Sequence, residues 1–542
     1  MRIYNLLILF LMGASLMGQH RISKTWVSDL GNGKFKNPIL HADYSDPDVC
    51  RVGDDYYMTA SSFNCVPGLP LLHSKDLVNW NLVGYALPKL PPIDLFSKPQ
   101  HGNGVWAPSI RHHNHEFYIY WGDPDQGIFM VKSKTIEGPW DEPVLVKAGK
   151  GLIDSCPLWD EDGKAYIVHG FAGSRAGVKS ILGLTEMTPD GTKAIGESRL
   201  IFDGHEAHPT VEGPKFYKRD GFYYILAPAG GVATGWQLAL RSKDIWGPYE
   251  SKIVMAQGKT NINGPHQGGW VSTPDGLEDW FIHFQDLEAY GRVVHLNPMS
   301  WKNGWPVIGE DKDGDGCGDP VSTWKKPAIK GKHAVVTPLE SDDFNSNQLG
   351  LQWQWHANYQ PVWYFADAAN SRLRLFSQPV PAGYANLWDV PNLLLQKFPA
   401  PNFTATAKVS FTPSQLYQGE RAGLVVMGYD YATLVFENTA QGVVLAYNEC
   451  RKARNGAAET VQSSPVAIPG QEVYLRVKVQ EQKGDAICTF SYSVDGKKFL
   501  PLGEGFAAQP GRWIGAKMGF FVTRPETTQD AGFMDVYDFL VE

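Results

Sequence analysis

The feature that most restricts what this chain can fold into is a segment that recurs five times. The copies read SDPDVCRVGDDYYMTASS from Ser45, WAPSIRHHNHEFYIYWG from Trp106, DSCPLWDEDGKAYIVHG from Asp154, EGPKFYKRDGFYYILAPAG from Glu212 and HQGGWVSTPDGLEDWFIHFQD from His266. Self-similarity at a period of roughly 50 residues marks units that bury their apolar faces only against one another. Each copy is an aliphatic β-run, a tight turn and an aromatic β-run, with hairpin turns at Asp162–Gly163, Asp220–Gly221 and Asp275–Gly276. Echoes follow three of the hairpins: KDLVNW from Lys75, TIEGPW from Thr135 and KDIWGPY from Lys243. Two hairpins' worth of strand per repeat is one propeller blade. A solenoid is disfavoured, because the copies vary in length and carry no leucine ladder. The 56 Gly and 37 Pro, with 18 Trp, 23 Tyr and 26 Phe, suit many short strands joined by tight turns and exclude a helical bundle. The repeat therefore predicts an all-β chain with a five-bladed β-propeller over residues 33–325.

Residues 326–338 are polar and broken by Pro, which predicts a linker. Beyond it, alternating runs at Thr404 to Phe411, Leu424 to Met427 and Tyr474 to Val479, and a hairpin around Asp495–Gly496, predict a β-sandwich over residues 339–542. At the other end, Arg2, the apolar stretch Leu6 to Met12 and small residues up to Gly18 have the layout of a signal peptide over residues 1–18. That stretch is short of the roughly 20 residues of a spanning helix. The first cysteine is Cys50, too late for a lipid anchor. The expectation is a periplasmic or secreted protein with no membrane partner. Net charge is −8 with no Lys/Arg block, which argues against nucleic acid. The six cysteines form no CxxC and no zinc spacing, and read as buried free thiols, with a Cys50–Cys65 pair as the alternative.

Innermost propeller strands converge on the axis, so equivalent repeat positions meet in one place. Alignment of the copies at their entry puts Asp46, Trp106, Asp154, Glu212 and His266 there. Carboxylates crowded into a partly desolvated site shift one another's pKa values, and that divergence separates a proton donor from an acceptor. A sugar ring against Trp106, with acids on both sides of its glycosidic bond, fits the set. Taken singly, each residue has a plainer reading: Asp46 before Pro47 as a turn starter, Glu212 as a strand-end acid, Asp154 as a turn cap, His266 and Trp106 as core. Convergence of the three acids favours a site. Glu206 precedes the repeat entry and is expected off the axis. Asp311 to Gly316 imitates an EF-hand loop, but its twelfth position is Ser322 rather than a bidentate Glu, so it reads as a surface turn.

At these residues the chain resembles glycoside hydrolase family 43, inverting five-bladed-propeller enzymes acting on arabinose- and xylose-containing polysaccharides. The resemblance rests on NPIL and YSDPDV between Asn37 and Val49, SSFNCVPGLPLLHSKDLVNW from Ser61, GVWAPSIR from Gly104, IDSCPLWDEDGKAY, HPTVEGPKFYKRDGFYY, NGPHQGGWV and HFQDLEAYGRVVHLNPMSW. In the tail, LGLQWQWHAN from Leu349 and RAGLVVMGYDYATL from Arg421 resemble the concanavalin-like sandwich of xylosidase and arabinofuranosidase members. The resemblance implies Asp46 as general base, Glu212 as general acid and Asp154 as the residue that orients the acid and tunes its pKa. It implies Trp106, Arg292 and Phe63 as sugar contacts. It also implies that His266 faces a hydrated cation, often calcium, in the central channel, with no cofactor required for the chemistry. Asp48 stands where many members have Ser, and Ser45 where Pro is common; neither change removes a catalytic group. The implied partner is a plant cell-wall oligosaccharide or polysaccharide. Removal of terminal α-L-arabinofuranosyl units is placed ahead of a β-xylosidase, with an endo-arabinanase third. A non-catalytic carbohydrate-binding protein is the competing class, and retention of all three acids argues against it.

Overall fold

The computed structural model describes residues 22–468, 472–525 and 529–542; the signal segment expected at residues 1–18 lies outside them. Five four-stranded antiparallel meanders follow one another along the chain, each with its strands in sequence order. They are blade 1 (48–87), blade 2 (106–148), blade 3 (152–203), blade 4 (215–255) and blade 5 (266–308). The hairpin residues act locally as expected: Asp220 and Gly221 have φ of 50° and 75°, the paired positive angles of the turn whose twist matches its flanking strands. The KDLVNW, TIEGPW and KDIWGPY echoes lead into the fourth strands of blades 1, 2 and 4.

Polar ties link the innermost strands of different blades. Asp48 of blade 1 accepts from Ile110 N–H (2.8 Å) and Arg111 Nη1 (2.6 Å) of blade 2. Lys215 of blade 4, fully buried, donates to Pro108 O (2.8 Å) and Ser109 Oγ (3.0 Å). Ser109 in turn donates to Ser155 O of blade 3 (2.6 Å). Buried charges and hydroxyls persist only when paired in this way. The ring is clasped by Lys34–Lys36 pairing antiparallel with Thr323–Lys325. Asn37 reinforces the clasp by donating to Leu296 O and Val321 O (2.8 and 2.7 Å).

The C-terminal region is a concanavalin-like domain of two packed sheets, nine and eight strands wide. Alternation along Asn402–Thr412 buries Phe403, Ala405, Ala407 and Val409, and along Glu472–Gln482 it buries Val473, Leu475, Val477 and Val479. These side chains meet in one apolar core between the sheets. The sandwich docks on the propeller through paired backbone at Val66 and Trp355 and through Ala516 N–H to Ala289 O (2.8 Å). Gly515 sits so close to blade 5 that a Cβ there would lie 2.6 Å from Gly291 N, so only glycine permits this approach. Residues 326–338 run beside the ring, with Lys326 paired to Asp29 and Asp76 (2.6 and 2.7 Å). All six cysteines are free, and all but Cys317 are buried. Among the described residues no helix is long and apolar enough to cross a membrane.

Candidate active site

Every blade enters its innermost strand through one residue with left-handed backbone: Asp46 (φ 53°), Ala107 (37°), Asp154 (58°), Gly213 (58°) and Gln267 (35°). Such angles cost about 1–3 kcal/mol at a non-glycine residue and persist only where the surroundings impose them. They also correct the alignment made from sequence. Asp46 and Asp154 occupy the left-handed position itself, whereas Trp106, Glu212 and His266 stand one residue earlier. All five nevertheless line one cavity of about 400 Å³, because neighbouring residues at a blade entry both face the axis. Phe63 and Arg292 line the same cavity. Glu206 is exposed and outside it.

Asp46 is clamped. It is 5% exposed, and its Oδ2 accepts from Ser45 Oγ (2.8 Å) and Ser61 Oγ (2.5 Å). Arg292 Nη1 lies 3.2 Å from Asp46 Oδ1 and donates to Ser45 Oγ at 2.7 Å. Ser61 Oγ also accepts from Ala107 N–H (2.7 Å), so one hydroxyl fixes both the carboxylate and the entry of blade 2. Arg292 is itself held over the Phe284 ring (4.7 Å) and near Asp286 (3.6 Å). The arginine expected to meet the sugar is thus first a partner of the carboxylate.

Glu212 is freer. Its side chain is 26% exposed, and His266 Nε2 lies 2.9 Å from its Oε1. His266 itself is 1% exposed, with Nδ1 buried and unpartnered. Asp154, 2% exposed, does not reach Glu212 directly: its Oδ2 accepts from Gly213 N–H (2.9 Å), the amide that follows Glu212, and from Gln267 Nε2 (3.1 Å). Burial pushes the Asp154 carboxyl well above the usual carboxylate range, and the charges of Glu212 and Asp46 push it further. Ionising Asp154 is therefore opposed both by its burial and by the two carboxylates beside it.

Trp106 forms a wall, its Nε1 donating to Gly102 O (2.8 Å) and its ring set edge-on to Phe63 (6.4 Å). Trp513, contributed by the sandwich, continues that wall, its ring edge-on to Trp106 with centroids 6.0 Å apart. Sequence reasoning missed Trp513, Ser61, Gln267, Lys179 and Thr210. The repeat is silent on residues outside the blade entries, and nothing local marks a tryptophan of one domain as the wall of another. Asp311, Asp313 and Asp315 bring their carboxylates within 4.8 Å of one another, on a turn outside the cavity. There Asp311 accepts from Gly314 and Gly316 N–H, and Lys302 lies 3.7 Å away.

Comparison with known proteins agrees with this geometry. Residues 35–306 match the model of glycosyl hydrolases family 43, and residues 341–541 match the beta xylosidase C-terminal concanavalin A-like domain. A Xylanibacter ruminicola protein, provisionally named a beta-xylosidase, is 36% identical over 92% of this chain and 88% of its own. The non-reducing end alpha-L-arabinofuranosidase BoGH43B of Bacteroides ovatus is 32% identical over 78% of this chain and 79% of its own. Among solved structures, the GH43 protein BlXynB of Bacillus licheniformis superposes with a TM-score of 0.80 at 25% identity, covering 94% of this chain and 99% of that one. Blades, acids and sandwich converge with these matches on one conclusion: the chain belongs to glycosyl hydrolase family 43 and is a glycosidase.

Proposed function

We propose that the chain is an exo-acting, inverting glycosidase that removes one terminal pentosyl unit, β-D-xylopyranosyl ahead of α-L-arabinofuranosyl. The observation that carries the reading is the presence, in one cavity, of two carboxyl groups in opposite surroundings: Asp46 clamped and paired with Arg292, Glu212 open and held at one point. In this scheme Asp46 takes a proton from the attacking water as general base. Glu212 gives its proton to the departing oxygen as general acid. Asp154, through Gly213 N–H and its own charge, positions Glu212 and sets its proton affinity. Inversion needs room for that water between the acids, roughly 6.5–9.5 Å of carboxyl separation.

Walls from both domains, Trp106 and Trp513, favour a chain end over a mid-chain segment. The sequence alone placed arabinofuranosyl first. The order changes because relatives at 36% and 33% identity carry the name beta-xylosidase, while the arabinofuranosidase BoGH43B stands at 32% and keeps the second reading in play. The natural substrate in this reading is a plant cell-wall oligosaccharide, met after export under the leader at residues 1–18.

The channel cation belongs to the same proposal. His266 Nδ1, Gln267 Oε1 and Ser155 Oγ are buried without partners, neutral donors that would hold a hydrated ion mostly through its water. It would add positive charge beneath the acids, and no step of the scheme passes through it.

The test compares kcat/KM on aryl β-D-xylopyranoside and aryl α-L-arabinofuranoside, a ratio that reports differential transition-state binding. Xylose released from xylobiose should appear first as the α-anomer. Preference for the arabinofuranoside would exchange the two sugars; no turnover of either would overturn the reading.

A further inference from the structure

We propose that Lys179 makes the leaving-group side of this cavity a subsite for an anionic sugar: the unit next to the scissile bond carries a carboxylate, as a uronic acid substituent does. The inference rests on the reading of Glu212 as the acid, because the leaving group lies on the acid's side of the bond.

Lys179 lines the cavity with Asp46, Asp154 and Glu212, and its side chain is exposed. Its Nζ donates to Thr210 Oγ1 at 3.4 Å, and Thr210 is two residues before Glu212. Through Thr210 the ammonium is tied to the segment that carries Glu212 rather than to the one that carries Asp46. Among the described residues Lys179 has no carboxylate within ion-pair distance, whereas Arg175 in the same segment is paired with Asp125 (3.2 Å).

The backbone under Lys179 is anchored. Ser180 Oγ accepts from Thr210 N–H (2.8 Å), and Ser180 O accepts from Gly204 N–H (2.8 Å). An unneutralised cation on a fixed segment, at the mouth of a cavity whose floor carries three acids, has a clear electrostatic use. It offsets the repulsion those acids exert on an anionic substrate and marks where that charge is to sit. A second cation without a carboxylate partner among the described residues, Arg512, stacks on Trp513 (4.2 Å), which also lines the cavity.

The test uses aryl pentosides whose ring carries either a carboxylate or the matching carboxamide, with intact wild-type protein, Lys179→Gln and Lys179→Arg. The quantity read is the carboxylate-to-carboxamide ratio of kcat/KM at low and high salt. Lys179→Gln is expected to lower that ratio about two- to fivefold at low salt, the scale of a partly exposed ion pair. Salt should shrink the wild-type preference, and Lys179→Arg should keep most of it. Turnover with the same ratio in wild type and Lys179→Gln overturns this inference and leaves the glycosidase reading standing. Absence of turnover on every aryl pentoside overturns both, and the two failures are told apart by the carboxamide substrates alone.

Discussion

The two sides of the cavity floor are built from the same chemical group and treated in opposite ways. Asp46 is held by two serine hydroxyls and an arginine, buried to 5% exposure. Glu212 meets His266 alone among the charged and titratable side chains of the described residues, with a quarter of its side chain open. A group that must accept a proton from a small, mobile water gains from being fixed and kept charged. A group that must carry a proton toward a bulky leaving group gains from reach and from having no arginine or lysine paired to its carboxyl. The difference between the corners, more than the count of acids, separates this site from a sugar-binding cleft.

The strongest way to break that comparison is to neutralise each corner in turn. Asp46→Asn and Glu212→Gln should each lower kcat on xylobiose by about 10²–10⁴-fold, the usual size of a general acid–base contribution. The two variants should part on an aryl glycoside whose phenolate departs without protonation. Glu212→Gln recovers much of its rate there, and Asp46→Asn does not. Equal recovery in both would exchange or erase the assigned roles.

Asp154 sharpens the contrast through pH. Burial raises the proton affinity of Asp154, and the charges of Glu212 and Asp46 raise it further. Asp154→Asn keeps an oxygen that can accept from Gly213 N–H and removes the charge. The basic limb of kcat/KM against pH should then move, because the carboxyl whose proton affinity is raised no longer titrates, with kcat falling about tenfold or more. A basic limb that stays in place while kcat falls would reduce Asp154 to a positioning residue.

Ser61 tests whether the clamp matters to the rate. Ser61→Ala removes the 2.5 Å bond to Asp46 and the acceptor of Ala107 N–H. Hydrogen bonds to charged groups contribute about 1.5–3 kcal/mol, so kcat should fall roughly tenfold or more. KM on the aryl pentoside should change much less, because the serine meets the base and not the sugar.

How much of this was legible beforehand follows from which interactions are local. The blades were readable because each is a hairpin pair written in consecutive residues, with turns such as Asp220–Gly221 marking the joins. The acids were readable because ring closure brings blade entries together whatever lies between them. The register at those entries was misread by one residue. The left-handed position is filled by Asp, Ala, Asp, Gly and Gln, with no side chain common to all five, and the backbone angle that unites them leaves no mark in composition. The contact of His266 Nε2 with Glu212 was not legible, because which ring nitrogen engages which neighbour depends on packing from several blades. Ser61 and Trp513 depend on contacts between distant parts of the chain.

Trp513 extends the comparison from the floor of the cavity to its walls. Trp106 comes from the ring and Trp513 from the sandwich, fixed there by Ala516 N–H on Ala289 O and by the glycine contact of Gly515 with Gly291. The two rings serve the same surface, but only Trp106 belongs to the repeat that carries the acids. Trp513→Ala should therefore raise KM for xylobiose several-fold, on the scale of about 1–2 kcal/mol for a lost aromatic face, and leave kcat within a few-fold. Gly515→Ala, which cannot keep the close approach to Gly291, should reproduce that KM effect with the indole still present. A fall in kcat equal to that of Ser61→Ala would mean that the sandwich positions the acids as well as the sugar, and that the walls and floor are one unit.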